Sequence, residues 1–343
     1  MEAHYRKERL DRGIKARCDD VFMLLSYEEI LYTLLPRVLP VLVLNILPFA
    51  LIASEEIYWQ KVTVISCVIA LLALSWDLLV STVGFISLGQ AIFFGVGSYL
   101  AGILNRYYGL SPILTIPAAT IGGGIFCTVL LFPVIRLKGL YFSLITLAFP
   151  LMIVRIIEAT AIFGGTEGLS SLSRFPNTWT ESYLSVIALL VCLFGFRRLI
   201  NSDYGLILRG IGENDRVVMS RGINIYWYKA QVLFIASAVG AFAGAFMTHY
   251  AGFVGMPAFA LDFSILPLAC VFLGGIGTLA GGVLGAFILT PLSEFLRAFG
   301  TLRMAIYSMI LIGCIVGLPE GIFHYIQRKY NQFERVVGVE AKE

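Results

Sequence analysis

The sequence predicts an all-α fold: a polytopic membrane helical bundle of about ten transmembrane helices, within a range of about eight to ten. Two observations predict it. Asp, Glu, Lys and Arg make up only 14% of the 343 residues, against 58% hydrophobic, and the mean hydropathy is +0.85. A water-soluble domain needs a charged exterior, and this composition cannot supply one. The second observation is length: apolar runs follow one another from residue 38 to residue 318. A helix crossing ~30 Å of hydrocarbon needs ~20 mostly apolar residues, which is the size of these runs.

Residues 1–35 open the chain with Arg6, Lys7, Arg9, Arg12, Lys15 and Arg17, a basic tail that the positive-inside pattern assigns to the cytoplasm. Residues 21–35 mix apolar side chains with Glu28 and Glu29 and are expected to lie as an interfacial helix ending at Pro36. No short apolar region precedes a cleavage site, so the first span is expected to serve as its own insertion signal. A transmembrane domain, 36–320, then holds spans at 38–53, 62–81, 88–105, 112–134, 139–163, 183–199, 230–251, 263–276, 279–296 and 303–318. The eighth and ninth are separated because Gly274, Gly275, Gly277, Gly281 and Gly282 lie between and within them. Each helical glycine costs ~1 kcal/mol, so the cluster favours a turn between two shorter helices.

Ten spans place Arg136, Lys138, the loop 200–229, and Arg328, Lys329 and Arg335 on the cytoplasmic side, with a tail at 321–343. Nine would put the basic C-terminus outside. Arg106, Arg174, Arg297 and Arg303 face outward in the ten-span arrangement and are the minority.

Several chemistries are excluded. Cys18, Cys67, Cys127, Cys192, Cys270 and Cys314 form no CxxC pair, and His4, His249 and His324 are scattered. No metal, cofactor or catalytic residue is expected from them. No GxxxxGK[ST] phosphate loop is present, so this chain cannot itself hydrolyse ATP.

Glycine spacing points to close helix contacts. Gly240 and Gly244, and Gly277, Gly281 and Gly285, recur at intervals of four and put small residues on one helix face. Such faces serve either static packing or helices that rock against each other. Polar groups inside the apolar runs are the other clue. Asp77 either faces a cavity or makes structural hydrogen bonds near the end of its span, and Arg155 and Glu158 share a face and can pair or snorkel. The neutral groups Ser87, Gln90, Tyr141 and Thr146 are the candidates for a translocation pathway, because amide and hydroxyl groups hold a small polar solute without trapping it.

The loop 200–229 contains a capped helix about two turns long. Glu213, Asn214 and Asp215 supply acidic and capping groups at its start, Arg221 sits in its last turn and Gly222 at its C′ position. A helix that short is marginal in water and needs support from the underside of the bundle or from another protein.

Five segments taken together resemble a known family: GFISLGQAIFFGVGSYLAG (84–102), RLKGLYFSLITLAF (136–149), GGTEGLSSL (164–172), the stretch 204–245 beginning YGLILRGIGENDRVVMSRG, and VFLGGIGTLAGGVLGA (271–286). They are similar, in family order from about residue 60 to 320, to the LivM-type inner-membrane permease subunits of bacterial ABC importers for branched-chain amino acids. The resemblance implies a partner permease of LivH type, two cytosolic ABC ATPase subunits and a periplasmic solute-binding protein. It also implies that Glu213, Asn214, Asp215, Arg216 and Gly222 belong to a helix that couples the bundle to the ATPase. This chain departs from the family at Phe85, where Gln is common, at Leu140 (Asp), at Pro150 and Leu151 (Gly-Glu), at Gly212 (Arg), and at Val217 and Val218 (small residues).

Other readings remain open to the sequence. A urea or short-amide importer has closely related permeases. An ion-coupled secondary transporter would need a carboxylate-rich midplane site, and only Asp77 and Glu158 are in reach. An intramembrane protease would need a partner for His249.

Overall fold

The computed structural model describes residues 4–9, 46, 57–137, 139–296, 308–309, 312–313, 316–317, 321–325 and 334–339. The expected first span at 38–53 and the interfacial helix at 21–35 lie outside the described residues, apart from Ile46. Of the tenth, residues 308–309, 312–313 and 316–317 are helical, spaced as one face of a helix.

The long helices are α1 (Ile57–Val83), α2 (Gln90–Tyr108), α3 (Pro112–Leu131), α4 (Leu140–Thr160) and α5 (Thr178–Ile200). Two short helices follow, α6 (Asp203–Glu213) and α7 (Asp215–Ser220), then α8 (Ile225–Ala251), α9 (Asp262–Gly274) and α10 (Ala280–Phe295). Among the described residues, six helical stretches are long and apolar enough to cross a membrane: α1, α3 with its 3₁₀ extension to Arg136, α4, α5, α8, and α9 with the 3₁₀ turn from Met256. α2 is more polar at its ends, through Gln90 and the Asn105-Arg106 pair, and α10 is shorter. The expected break between the eighth and ninth spans falls at Gly275 to Leu279, as the glycine cluster demands.

α1 is apolar all round, and nearly all of its surface is buried. It is the axis of the bundle, packed against α5, α6, α8, α9 and α10. α4 and α5 lie at the periphery and leave most of their apolar surface exposed.

Glycines set the closest crossings. A Cβ on Gly244 would come 1.9 Å from the Phe94 carbonyl oxygen, and one on Gly97 2.1 Å from that of Ala241, so α2 and α8 touch backbone to backbone. Gly240 faces Phe93 in the same seam, with Cβ to Cβ at 2.5 Å. α9 and α10 meet likewise, Gly281 against Gly274 and Gly285 against the Cys270 carbonyl. Gly277 corrects the expectation. It does not share that helix face but sits in the turn at φ +81°, with nothing nearer to its Cβ position than Ser81 at 3.8 Å. The turn, and not packing, requires this glycine.

The polar groups of the spans also resolve. Asp77 is buried and accepts backbone hydrogen bonds from Gly277 and Leu279, a structural role. Arg155 and Glu158 pair at 2.8 Å on the exposed face of α4. At the chain ends, β1 (His4–Arg9) pairs antiparallel with β2 (Glu334–Val339), where the sequence reading expected only tails. The register sets Arg9 opposite Glu334 and Glu8 opposite Arg335.

Candidate functional site

The connection between α1 and α2, residues 84–89, is non-helical backbone within the bundle, and hydrogen bonds anchor it on several sides. Trp76 Nε1 donates to the Ser87 carbonyl at 2.6 Å, Ser143 Oγ to that of Ile86 at 2.6 Å, and Leu88 N–H to Thr146 Oγ1 at 3.1 Å. Gly89 lies so close to α4 that a Cβ there would fall 2.2 Å from the Thr146 carbonyl oxygen. Ala91 N–H then donates to Ser264 Oγ on α9. Non-helical backbone inside a bilayer protein persists only where its polar groups are satisfied in this way. One short segment thus gathers α1, α2, α4 and α9.

Of the four pathway candidates the structure brings three together. Ser87, Gln90 and Thr146 are buried around this connection. Tyr141, 73% exposed at the start of α4, does not join them. Ser75 Oγ lies 3.0 Å from the Leu72 carbonyl and 3.1 Å from Gln90 Oε1, but a hydroxyl has one proton and cannot donate to both. Gln90 Nε2 has no partner among the described residues. A half-turn of the amide lets Nε2 donate to Ser75 Oγ and leaves Oε1 spare instead. In either orientation Gln90 keeps one unused hydrogen-bonding atom in the interior.

Below the connection lie α6 and α7. The sequence reading placed Glu213 and Asp215 at the start of one helix. Instead, Glu213 ends α6, and the chain breaks at Asn214, whose extended backbone and Oδ1, accepting from Arg216 N–H at 3.1 Å, cap α7. Gly222 follows at φ +79°, the left-handed geometry that ends a helix. The 11-residue α6 went unrecognised as a helix, because Gly205, Gly210 and Gly212 weaken its propensity. Those glycines have a tertiary reason: a Cβ on Gly212 would lie 2.6 Å from the Thr82 carbonyl oxygen at the end of α1. Tyr204 fastens the other end of α6. Burial, and then the neighbouring Tyr228 phenol, push its hydroxyl up to about 12, so it stays protonated and donates to Gln231 Oε1 on α8 at 2.9 Å.

Lys229, one turn into α8, was not among the sequence candidates. It is 3% exposed, and its Nζ lies 3.1 Å from Asp215 Oδ2 and 5.2 Å from the centroid of the Phe85 ring. Phe85 stacks on Phe142 of α4 at 4.4 Å. The one available signal was a lysine just inside an apolar run. Beside the ion pair is a cavity of about 430 Å³ lined by Gly84, Phe85, Gly139, Glu213, Asn214 and Arg216.

A bundle of bilayer-length apolar helices around a buried, hydrogen-bonded connection is the build of a multi-pass membrane protein. Comparison with known proteins is consistent with that class. Residues 59–317 match the family described as branched-chain amino acid transport system / permease component, and the chain belongs to this family. It is 26% identical over 292 residues to the high-affinity branched-chain amino acid transport system permease protein LivM of Escherichia coli (strain K12), covering 76% of this chain and 69% of the relative. It is 30% identical over 217 residues to a probable LivM of Methanocaldococcus jannaschii, covering 57% of this chain and 63% of that protein. The probable LivH of the same organism is 26% identical over 296 residues, 78% of this chain and 92% of the relative. No solved structure matches the chain.

Proposed function

We propose that this chain is the permease subunit of a binding-protein-dependent ABC importer for branched-chain amino acids, forming half of the translocation pathway. The family match across residues 59–317 carries the reading. The partners follow from it: a LivH-like second permease, two cytosolic ATPase subunits that hydrolyse the ATP, and a periplasmic solute-binding protein. The chain resides in the bacterial inner membrane with both termini cytoplasmic. The antiparallel pairing of His4–Arg9 with Glu334–Val339 supports that placement, since it keeps both ends on one side, as an even number of spans requires.

Residues 213–222 are the coupling segment. α7 has only Asp215 fully buried, and it leaves Arg216, Val217 and Met219 exposed at the end of the bundle. Exposed apolar side chains beside a charge on a capped helix suit the cleft of a partner protein. Ser87, Gln90 and Thr146 are the pathway candidates in the interior, with the spare amide atom of Gln90 available to a polar solute.

The test is uptake by proteoliposomes containing the complex that co-purifies with the tagged chain. Uptake of leucine, isoleucine and valine that needs ATP and the binding protein supports the reading. Uptake of urea in their place would reassign the solute, and uptake driven by an ion gradient without ATP would overturn the class.

A further inference from the structure

We propose that the buried Asp215–Lys229 ion pair is the tether through which α7 moves the helix bundle, and that the Phe85 ring passes this motion to α4 and to the connection at 84–89. This rests on the coupling role of residues 213–222 proposed above and names the link inside the chain.

The argument begins with α7 itself. Six residues cannot hold a helix in water unaided. Asp215 is the only fully buried residue of α7, and Val218 is half-buried against the core. The cavity of about 430 Å³ lined by Asn214, Asp215 and Arg216 deprives that side of close packing. Attachment to the bundle therefore falls mainly on the carboxylate of Asp215, held at 3.1 Å by Lys229.

Both charges are almost fully buried, at 3% and 8% side-chain exposure. Separating such a pair takes a buried ammonium off its carboxylate, which is costlier than breaking an exposed bridge. A displacement of α7 accordingly drags Lys229 and the first turn of α8 with it. Lys229 bears on the face of Phe85, a cation–π contact at 5.2 Å. Phe85 in turn stacks on Phe142, and the next residue, Ile86, accepts the hydrogen bond of Ser143. Four residues further along is Gln90.

Hydrogen exchange and coupled ATP hydrolysis test the two halves separately. In the purified chain, Lys229→Met should raise exchange across residues 215–222 by roughly tenfold or more while α2 and the middle of α8 stay protected. In the assembled complex, the same variant should still bind its ATPases but lose roughly tenfold of the leucine-dependent stimulation of ATP hydrolysis. Lys229→Arg, which keeps the charge, should retain both. The double variant Asp215→Asn/Lys229→Met removes both charges of this pair, so it avoids the buried, uncompensated carboxylate of the single variant, and it should be uncoupled all the same. Phe85→Leu should leave exchange of α7 unchanged and lower the stimulation. Unaltered exchange in Lys229→Met overturns the tether, and full stimulation in the double variant or in Phe85→Leu overturns the transmission. Arg216→Glu on the exposed face of α7 is the control for the parent reading: if it too stimulates normally, the coupling role of α7 falls, whatever the tether does.

Discussion

Asp77 holds Leu279 across two hundred residues of sequence. Its Oδ2 accepts the Leu279 backbone N–H at 2.9 Å, and its Oδ1 that of Gly277 at 2.7 Å. Leu279 has φ +54°, a left-handed conformation that a branched side chain avoids, and the two hydrogen bonds hold the α9–α10 turn in that shape. An intramembrane carboxylate that would otherwise suggest an ion site is here a clamp between α1 and a turn.

Removing the clamp should therefore cost stability before it costs transport. Asp77→Ala leaves the buried Leu279 N–H unpaired and frees the N–H of exposed Gly277, and should destabilise the protein by about 1–3 kcal/mol. Asp77→Asn keeps one acceptor and should lose about half as much. Thermal denaturation in lipid nanodiscs measures both, and equal stability of Asp77→Ala and the native chain would remove the clamp.

The α2–α8 seam should be intolerant of even one methyl. Gly244→Ala forces a carbon to within 1.9 Å of the Phe94 carbonyl oxygen and should cost about 1–3 kcal/mol. Gly195→Ala, on α5 with nothing within 4 Å among the described residues, should instead be neutral or stabilise the helix by up to ~1 kcal/mol. Comparable melting shifts for the two variants would show that glycine content, and not contact, sets the effect.

Gly212 should resist substitution by a residue with a long side chain. Gly212→Arg places its Cβ 2.6 Å from the Thr82 carbonyl oxygen and should unseat α6 from the end of α1. Protease accessibility of residues 203–222 is expected to rise, with a loss of about 1–3 kcal/mol. An arginine variant as resistant as the native chain would mean that α6 has room that this packing denies it.

Gln90→Leu separates transport from folding. Ser75 still has the Leu72 carbonyl as its partner, so no buried donor is orphaned. The melting temperature should hold, with any change under ~1 kcal/mol, while the KM or maximal rate of uptake changes. Unchanged transport kinetics would take Gln90 off the pathway.

Much of the architecture was legible in one dimension. The runs at 62–81, 112–134, 139–163 and 230–251 became α1, α3, α4 and α8 with small shifts at their ends, because lipid imposes a length and an apolarity that composition records directly. The break inside 263–296 was equally readable, since five glycines oppose a continuous helix. Glycine spacing alone misassigned Gly277, because intervals of four recur in a turn as well as on a helix face. The helix α6 was lost for the opposite reason: its glycines look like loop residues until α1 is seen pressed against Gly212.

The sequence by itself determined that the chain lives in a bilayer, roughly where its helices run, and which family segments it carries, since these depend on local composition and order. Only the tertiary structure decided which polar groups are finished and which have capacity to spare. Asp77 is satisfied by a turn two hundred residues away, Lys229 is paired with a residue of another helix, and Gln90 retains an amide atom with no partner among the described residues. A buried polar group is defined by the partner that replaces its water, and that partner is fixed by packing between distant segments.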